Sequence, residues 1–455
     1  MKNKITVEES AKRLQEVQPK LNAVVTFAEV PEEIPAEGKL AGVPVALKDN
    51  IITNGLRTTA SSAILDNYIP VYDSIVAKRL KEAGAVFMAK ASMDELGMGG
   101  TNRNAYTGPV HNPYDLERIS GGSSGGSAVL VASGAVPLAI GTDTGDSIRK
   151  PAAFCGVIGF KPTYGRIPRY GVIPYASSLD TVGFFTKNIE DAALALEVLA
   201  GRDDHDMTSS NEPVENYLEN LNGDLKGKRI GILRTVSDEI KNPAIKEGFE
   251  KLVEQLKEAG AIVTDLSMDR KLLDLIAPVY KTIANAEATA NHSNLDGIRF
   301  GVRKPGESVE DVMTASRTAG FSSYVRARFV IGSYSLFEEN QDRLFRKAQK
   351  IRRLIAEAYA DLFKDQDAIL TIAAPDVAPK IEQSSDVRFG EDHFEEEHMQ
   401  LANFTGYPSI VLPLGLADGL PYGVELTAKP FEEQQLLDIA LGIEETADFE
   451  GEPSL

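Results

Sequence analysis

The amino-acid sequence predicts an α/β fold built on a mixed or largely parallel sheet. Two observations carry this expectation. Short apolar runs of strand length alternate with helix-length segments on either side of a polar stretch at about residues 201–226. Two loops rich in glycine and serine or threonine, residues 120–127 and 141–149, sit between apolar elements and not in linker-like surroundings. Taken in order, residues 7–17 read as a charged helix stopped near Pro19, and residues 30–38, rich in Pro and Glu, as an exposed linker. Residues 43–47 form a strand that ends on Lys48. Asp73 is placed as the N-cap of a helix running through Lys81, with Gly84 as its stop. Residues 85–89 are a strand, 126–133 a helix of small residues, and 136–140 a strand.

Beyond the polar loop the pattern resumes with a strand at 229–233, an amphipathic helix at 243–259 and a strand at 261–266. Residues 270–365 are dominated by helix, with a long run from 321 to 363. Strands at 368–373, 409–413 and 422–428 and a closing helix at 432–445 complete the chain. No internal repeat or low-complexity tract interrupts it. The expected organisation is one domain over residues 1–455, with an N-terminal α/β part to about 200, a helix-rich insertion at about 202–365 and a C-terminal return to the core at about 366–455.

Composition narrows the function classes. The 455 residues are 43% hydrophobic and 25% charged, as in an ordinary soluble globular protein. The formal net charge of −19 opposes binding a polyanion through broad electrostatics, because phosphate neutralisation dominates nucleic-acid affinity. A single cysteine, Cys155, excludes an internal disulfide and reads as a core residue in a reducing compartment. The first ten residues carry no apolar signal region, and no apolar run approaches the ~20 residues of a membrane helix. A cytoplasmic location without membrane contact is the expectation.

The two glycine-rich loops present serines in small-residue surroundings, Ser123 and Ser147. A hydroxyl nucleophile needs a neighbouring base and N–H donors for the oxyanion. Lys48 closes an apolar strand, where burial lowers a lysine from its reference of ~10.4 and makes it usable as a base. Other readings of these loops fail on chemistry. Residues 121–126 lack the Gly-Lys-Ser/Thr ending of a P-loop, and no acidic ribose reader follows. Ser147-Ile148-Arg149-Lys150 matches an S-x-x-K pattern, but Pro151 disfavours the helical turn it needs and no K-T-G occurs in the chain. Among five histidines, His393 and His398 are five apart, which is not a helical metal spacing, and they read as part of a solvated acidic face.

Val43 to Asn50, Gly121-Gly122-Ser123-Ser124-Gly125-Gly126 and Gly141 to Arg149 together resemble the amidase signature family. The resemblance implies that family's fold, a large mixed sheet covered by helices on both faces with a helical insertion. It also implies a Ser–cis-Ser–Lys triad of Ser147, Ser123 and Lys48, whose separations of 75 and 24 residues agree with the family. Residues 160–166, 169–172, 177–180, 295–301 and 349–352 are similar to one branch, the glutaminase subunits of tRNA-dependent amidotransferases, and similarity runs from about residue 7 to 446.

For that branch, Ser147 would attack the glutamine side-chain amide while backbone N–H groups of Thr144, Gly145, Asp146 and Ser147 hold the oxyanion. The ammonia would pass to a partner, the B subunit, which binds Glu-tRNA(Gln) or Asp-tRNA(Asn) and uses ATP and Mg. A small C subunit would complete a heterotrimer. This chain would hold no cofactor or metal and would meet tRNA only through its partner. Arg352 matches the branch position that binds the glutamine carboxylate. Asp418, in an Asp-Gly pair, is a candidate for the ammonium. Two departures stand out. Asp146 replaces a usual glycine, and the stretch before Lys48 is short, which implies a missing surface helix. A stand-alone amidase of small amides and a catalytically silent scaffold subunit are the alternative readings.

Overall fold

A computed structural model describes residues 1–384, 397–447 and 449–454. Its apolar runs become strands of one eleven-stranded sheet: β1 (Val24–Phe27), β2 (Pro44–Lys48), β3 (Val86–Ala91), β4 (Leu138–Asp143), β5 (Ile158–Lys161), β6 (Thr181–Thr186), β7 (Arg229–Leu233), β8 (Ile262–Leu266), β9 (Ala368–Ile372), β10 (Ser409–Ala417) and β11 (Leu420–Ala428). The spatial order is β1-β3-β2-β4-β6-β5-β10-β11-β9-β7-β8. The sheet is mixed. β2 runs parallel to both β3 and β4, and β7 to both β8 and β9, while the central pairs from β4 to β9 are antiparallel.

Burial on both faces explains why the strands read as continuous apolar runs. Val45, Leu47, Leu138, Ile140 and Phe184 face a core shared with the helices Ile189–Leu199, Pro243–Glu258 and Glu433–Ala447. Ala46, Ala139 and Phe185, one residue out of phase, face the helices Val7–Leu21, Gly125–Ala132 and Arg149–Cys155. The period of two therefore sends Lys48 to the same face as Ala46, toward the helix Gly125–Ala132. Every residue of that helix is buried, and its small side chains let it lie close to the strands, with Ser127 Oγ donating to Ile140 O at 2.9 Å.

Several sequence expectations shift. The first helix passes through Pro19 to Leu21, because its core stripe of Leu14, Val17 and Leu21 continues to be buried, and Asn22 ends it at φ 51°. Ser74, not Asp73, caps the helix Ile75–Glu82. The Asp73 carboxylate instead accepts from Asn54 N at 2.8 Å and pairs with Lys81 at 2.7 Å. β7 and β8 belong to the main sheet, so the helix-only stretch of the 202–365 segment begins near Arg270. The run from 321 to 363 is broken into Ser323–Leu336, Glu338–Gln341 and Phe345–Leu362. These helices and Ile276–Asn291 share a second core of Ile276, Ile283, Val325 and Ile355. Leu96, Tyr175 and Leu179, from loops at the edge of the sheet, also enter it. The insertion is thereby packed directly on the site.

Candidate active site

Lys48 is the last residue of β2 and has no exposed surface. Its Nζ lies 2.8 Å from Ser123 Oγ, 2.7 Å from Ser124 Oγ and 3.2 Å from Thr142 O. Burial pulls its pKa down to about 7, and the carboxylates of Asp94, Asp143, Asp180 and Asp146 only partly oppose that.

The loop that carries Ser123 has a cis peptide bond between Gly122 and Ser123. Glycine is required at 122 because a Cβ there would stand 2.1 Å from Asp94 Oδ2 and 2.7 Å from Asn102 N. The Asp94 carboxylate accepts from Asn102 N at 2.9 Å, and Asp94 N donates to Ser123 O at 3.2 Å, which fixes the loop from below. Ser124 N in turn donates to Ser147 O at 3.1 Å and joins the two serine loops.

The Ser147 loop leaves β4 at Asp143 and enters the helix Arg149–Cys155. It is stapled from behind by Arg149, which is fully buried and bonds Asp143 through Nε at 3.1 Å and Nη2 at 3.0 Å, and Glu425 at 2.5 Å. Burial works against the Asp143 charge, but Arg149 and the Ile148 N–H outweigh it and hold the carboxyl down to about 2. Arg149 Nη2 also donates to Gly145 O at 2.8 Å. In a trans peptide the carbonyl and the following N–H point opposite ways, so the Asp146 N–H is turned away from Arg149. Among the described residues, none of the N–H groups of Thr144, Gly145, Asp146 and Ser147 finds a protein acceptor. Such a run of undirected donors suits an oxyanion. Thr144 Oγ1 donates to the buried Asp180 at 2.7 Å, and Asp180 also accepts from Tyr175 N at 2.7 Å. On the open side, the Tyr280 ring covers Gly145 so closely that a Cβ there would lie 2.9 Å from Cζ.

Comparison with known proteins gives the family and the fold. A sequence model of the Amidase family matches residues 6–437. The chain belongs to the amidase signature family. It is 40% identical to the A subunit of a glutamyl-tRNA(Gln) amidotransferase of Sulfurihydrogenibium, over 97% of this chain and 93% of that one. The solved structure of the corresponding glutamyl-tRNA(Gln) amidotransferase A subunit from Thermotoga maritima superposes with a TM-score of 0.83 at 33% identity, covering 100% of this chain and 98% of that one. A peptide amidase from Stenotrophomonas maltophilia superposes with a TM-score of 0.80 at 27% identity, covering 98% and 94%.

Neither predicted substrate-reading residue bonds the Ser147 loop among the described residues. Arg352 binds the protein itself, through Nη1 to Ser178 Oγ at 2.9 Å, Nη2 to Ser178 O at 3.1 Å and Nε to Phe404 O at 3.3 Å. It stitches the helix Phe345–Leu362 to the loop before Asp180. Asp418 is exposed at the tip of the β10–β11 hairpin, where it and Gly419 both adopt positive φ. That tip is roughly 20 Å along β10 from the level of Glu425, at ~3.4 Å per residue. Turn geometry accounts for the Asp-Gly pair.

The residues that do gather at the Ser147 loop went unread in the sequence. Arg328, from the helix Ser323–Leu336, donates to Tyr175 OH at 2.7 Å and Asn285 Oδ1 at 3.4 Å and bonds the Tyr324 hydroxyl. Tyr175 is hydrogen-bonded to Tyr280. Asp146, expected from the sequence to replace a glycine, forms an ion pair with Lys150 one helical turn on. Burial raises its pKa, and Lys150 opposes that rise. Lys150 is thus bound to Asp146, and the S-x-x-K match is a coincidence of spacing.

His393 lies outside the described residues. His398 is buried, with Nε2 3.5 Å from Glu425 Oε2, and is not part of a solvated face. Among the described residues no three His, Cys, Asp or Glu side chains gather into a metal-binding group. No described helix is long and apolar enough to cross a membrane.

Proposed function

We infer that this chain hydrolyses the side-chain amide of glutamine as the glutaminase subunit of a tRNA-dependent amidotransferase. The observation that carries the chemistry is the buried Lys48 Nζ 2.8 Å from Ser123 Oγ, on a loop bonded to that of Ser147. The amidotransferase relatives, matched over nearly their whole length, carry the choice of substrate. Neutral Lys48 takes the proton of Ser123 as Ser123 takes that of Ser147. Ser147 Oγ then attacks the amide carbon. The N–H groups of Thr144 to Ser147 stabilise the tetrahedral oxyanion, each by about 3 kcal/mol where such donors have been removed one at a time. The proton returns along the same path to the departing ammonia, and water opens the acyl-Ser147 ester to glutamate.

Glutamine differs from simple amides by its α-carboxylate and α-ammonium. Arg328 supplies the cation. Among the described residues its guanidinium bonds phenols and an amide and no carboxylate, next to the Tyr280 ring that covers Gly145. A planar guanidinium suits bidentate carboxylate recognition. The tRNA, and the ATP and Mg that activate its carboxylate, belong to the partner B subunit, with a small C subunit beside it. A net charge of −19 fits a chain that leaves the tRNA to its partner. The silent-scaffold reading loses its motive, since the Asp146 carboxylate is neutralised by Lys150.

The test is ammonia release by purified protein from glutamine and from an amide lacking the α-carboxylate. Arg328→Ala should lower kcat/KM for glutamine by about 10- to 150-fold, the equivalent of 1.5–3 kcal/mol, and leave the simple amide nearly unchanged. Arg352→Ala should lower both substrates together through the fold. Equal losses on both substrates for Arg328→Ala, or no glutamine hydrolysis by the wild-type complex, would sink the reading.

A further inference from the structure

The hydrogen-bond inventory around Lys48 Nζ is closed on two of its three sides. Ser124 Oγ donates to Thr142 O at 3.0 Å and accepts from Thr142 N at 3.3 Å and from Lys48 at 2.7 Å. A hydroxyl has one proton to give and two lone pairs to receive with, so Ser124 is saturated. Thr142 O accepts from Ser124 and, at 3.2 Å, from Lys48, which fills both of its lone pairs. A neutral amine has two N–H donors and one lone pair. Ser124 and Thr142 O can only accept from it, so they take the two N–H groups. The lone pair is left facing Ser123 Oγ at 2.8 Å, whose proton is not committed to Thr142.

We propose that Ser124 is a positioning residue that orients the lone pair of Lys48 toward Ser123. The inference rests on the hydrolytic reading above and adds a fourth side chain to it. Ser124 takes no proton during the reaction. It ties one amine hydrogen to the backbone of β4 through its own bonds to Thr142, so that the proton leaving Ser147 has one route, Ser123 to Lys48. Without Ser124 Oγ, one N–H of the neutral amine is released and can turn toward Ser123 Oγ, where it competes with the productive orientation. The ammonium form also loses an acceptor, while burial and the surrounding Asp94, Asp143, Asp180 and Asp146 are unchanged.

The experiment compares wild type with Ser124→Ala over pH 5.5–9, following ammonia release and, separately, inactivation of Ser147 by phenylmethanesulfonyl fluoride. Expected are a 10- to 100-fold fall in kcat, KM within twofold, and a shift of the acid limb of kcat/KM and of the inactivation rate to lower pH by at least half a unit. A purely structural loss would scale both rates through the active fraction, counted by titrating reactive Ser147, and leave the acid limb in place. That result, or wild-type rates, would overturn the proposal. Ser124→Cys keeps the side-chain bulk and offers only a weak acceptor, so it should move the limb in the same direction if the alanine variant folds poorly. An unmoved limb in a folded Ser124→Cys would count equally against the role. Ser147→Ala is the separate control. If it still hydrolysed glutamine, the hydrolytic reading itself would fail, whatever Ser124 does.

Discussion

Lys48 and Lys161 make an instructive pair. Each is the last residue of a strand in the same sheet, neither has any exposed surface, and burial lowers each to about 7. Their surroundings differ. Lys48 faces two hydroxyls and one carbonyl. Lys161 donates to two backbone carbonyls, Pro162 O at 3.1 Å and Tyr407 O at 2.5 Å, and the nearby Arg149 adds to the effect of burial. A carbonyl has no proton to give. A lowered pKa therefore makes a lysine able to be neutral, and a hydroxyl partner on a path to a nucleophile makes it a base.

The sharpest way to break this comparison is to remove each amine in turn. Lys48→Met should lower kcat for glutamine by about 10³-fold or more, in the upper range for general acid–base groups. Lys161→Met should leave kcat within about threefold once folding is matched. Ammonia release from the two purified variants decides it, and comparable losses would mean that Lys161 belongs to the proton path. The wild-type rate should rise with pH through about 7, because only the neutral amine of Lys48 accepts a proton.

Stability tests the other half of the comparison. A lysine held below its unfolded value binds its proton in the unfolded chain over a range where the native chain has released it. Native stability therefore rises with pH between about 7 and 10.5, and the full cost of protonation is present below about 7. Lys48 and Lys161 both contribute. Each adds a slope approaching ~1.4 kcal/mol per pH unit in that window. Lys161→Met should reduce the pH dependence of the urea midpoint between pH 8 and 9.5 relative to wild type. An unchanged slope would show that Lys161 keeps its proton in the folded chain and is not the counterpart of Lys48.

The contrast also marks what a sequence can express. Lys48, Ser123 and Ser147 were legible because each sits in a local signal: the end of an apolar strand, or a loop whose glycines are required by close backbone approach, as at Gly122 and Gly145. Arg328, Tyr175 and Tyr280 carry no such signal. They come from a loop and two helices that meet only through the packing of the insertion core. A charge-rich helix such as Phe345–Leu362 does not announce which of its arginines turns inward, and Arg352 turned toward Ser178 and Phe404 O. β5 and β6, short and interrupted by Gly159 and Gly183, escaped a reading based on apolar runs. The partner of Asp146 was not legible because it lies four residues on, on a turn that the following proline argued against.

Lys150 supplies the third lysine of the comparison. Here a carboxylate stands where Lys48 has hydroxyls, and Lys150 is held as one half of an ion pair. Sequence alone favours Asp146→Gly as harmless or beneficial, since it restores the family residue. The ion pair reverses part of that expectation. Both side chains are largely buried, at 17% exposure for Lys150 and 11% for Asp146, and the substitution removes a partner from Lys150 and adds backbone freedom to the loop. A stability loss of about 1–2 kcal/mol is expected, from the urea midpoint at constant m. In the proposed mechanism this position acts through its backbone N–H, which glycine keeps, so kcat should stay within about threefold. A double-mutant cycle with Lys150→Met separates the pair from its surroundings and should give a coupling of about 1 kcal/mol. A coupling near zero would reduce the ion pair to a surface-like contact. A tenfold fall in kcat with stability unchanged would place the Asp146 carboxylate in contact with the substrate.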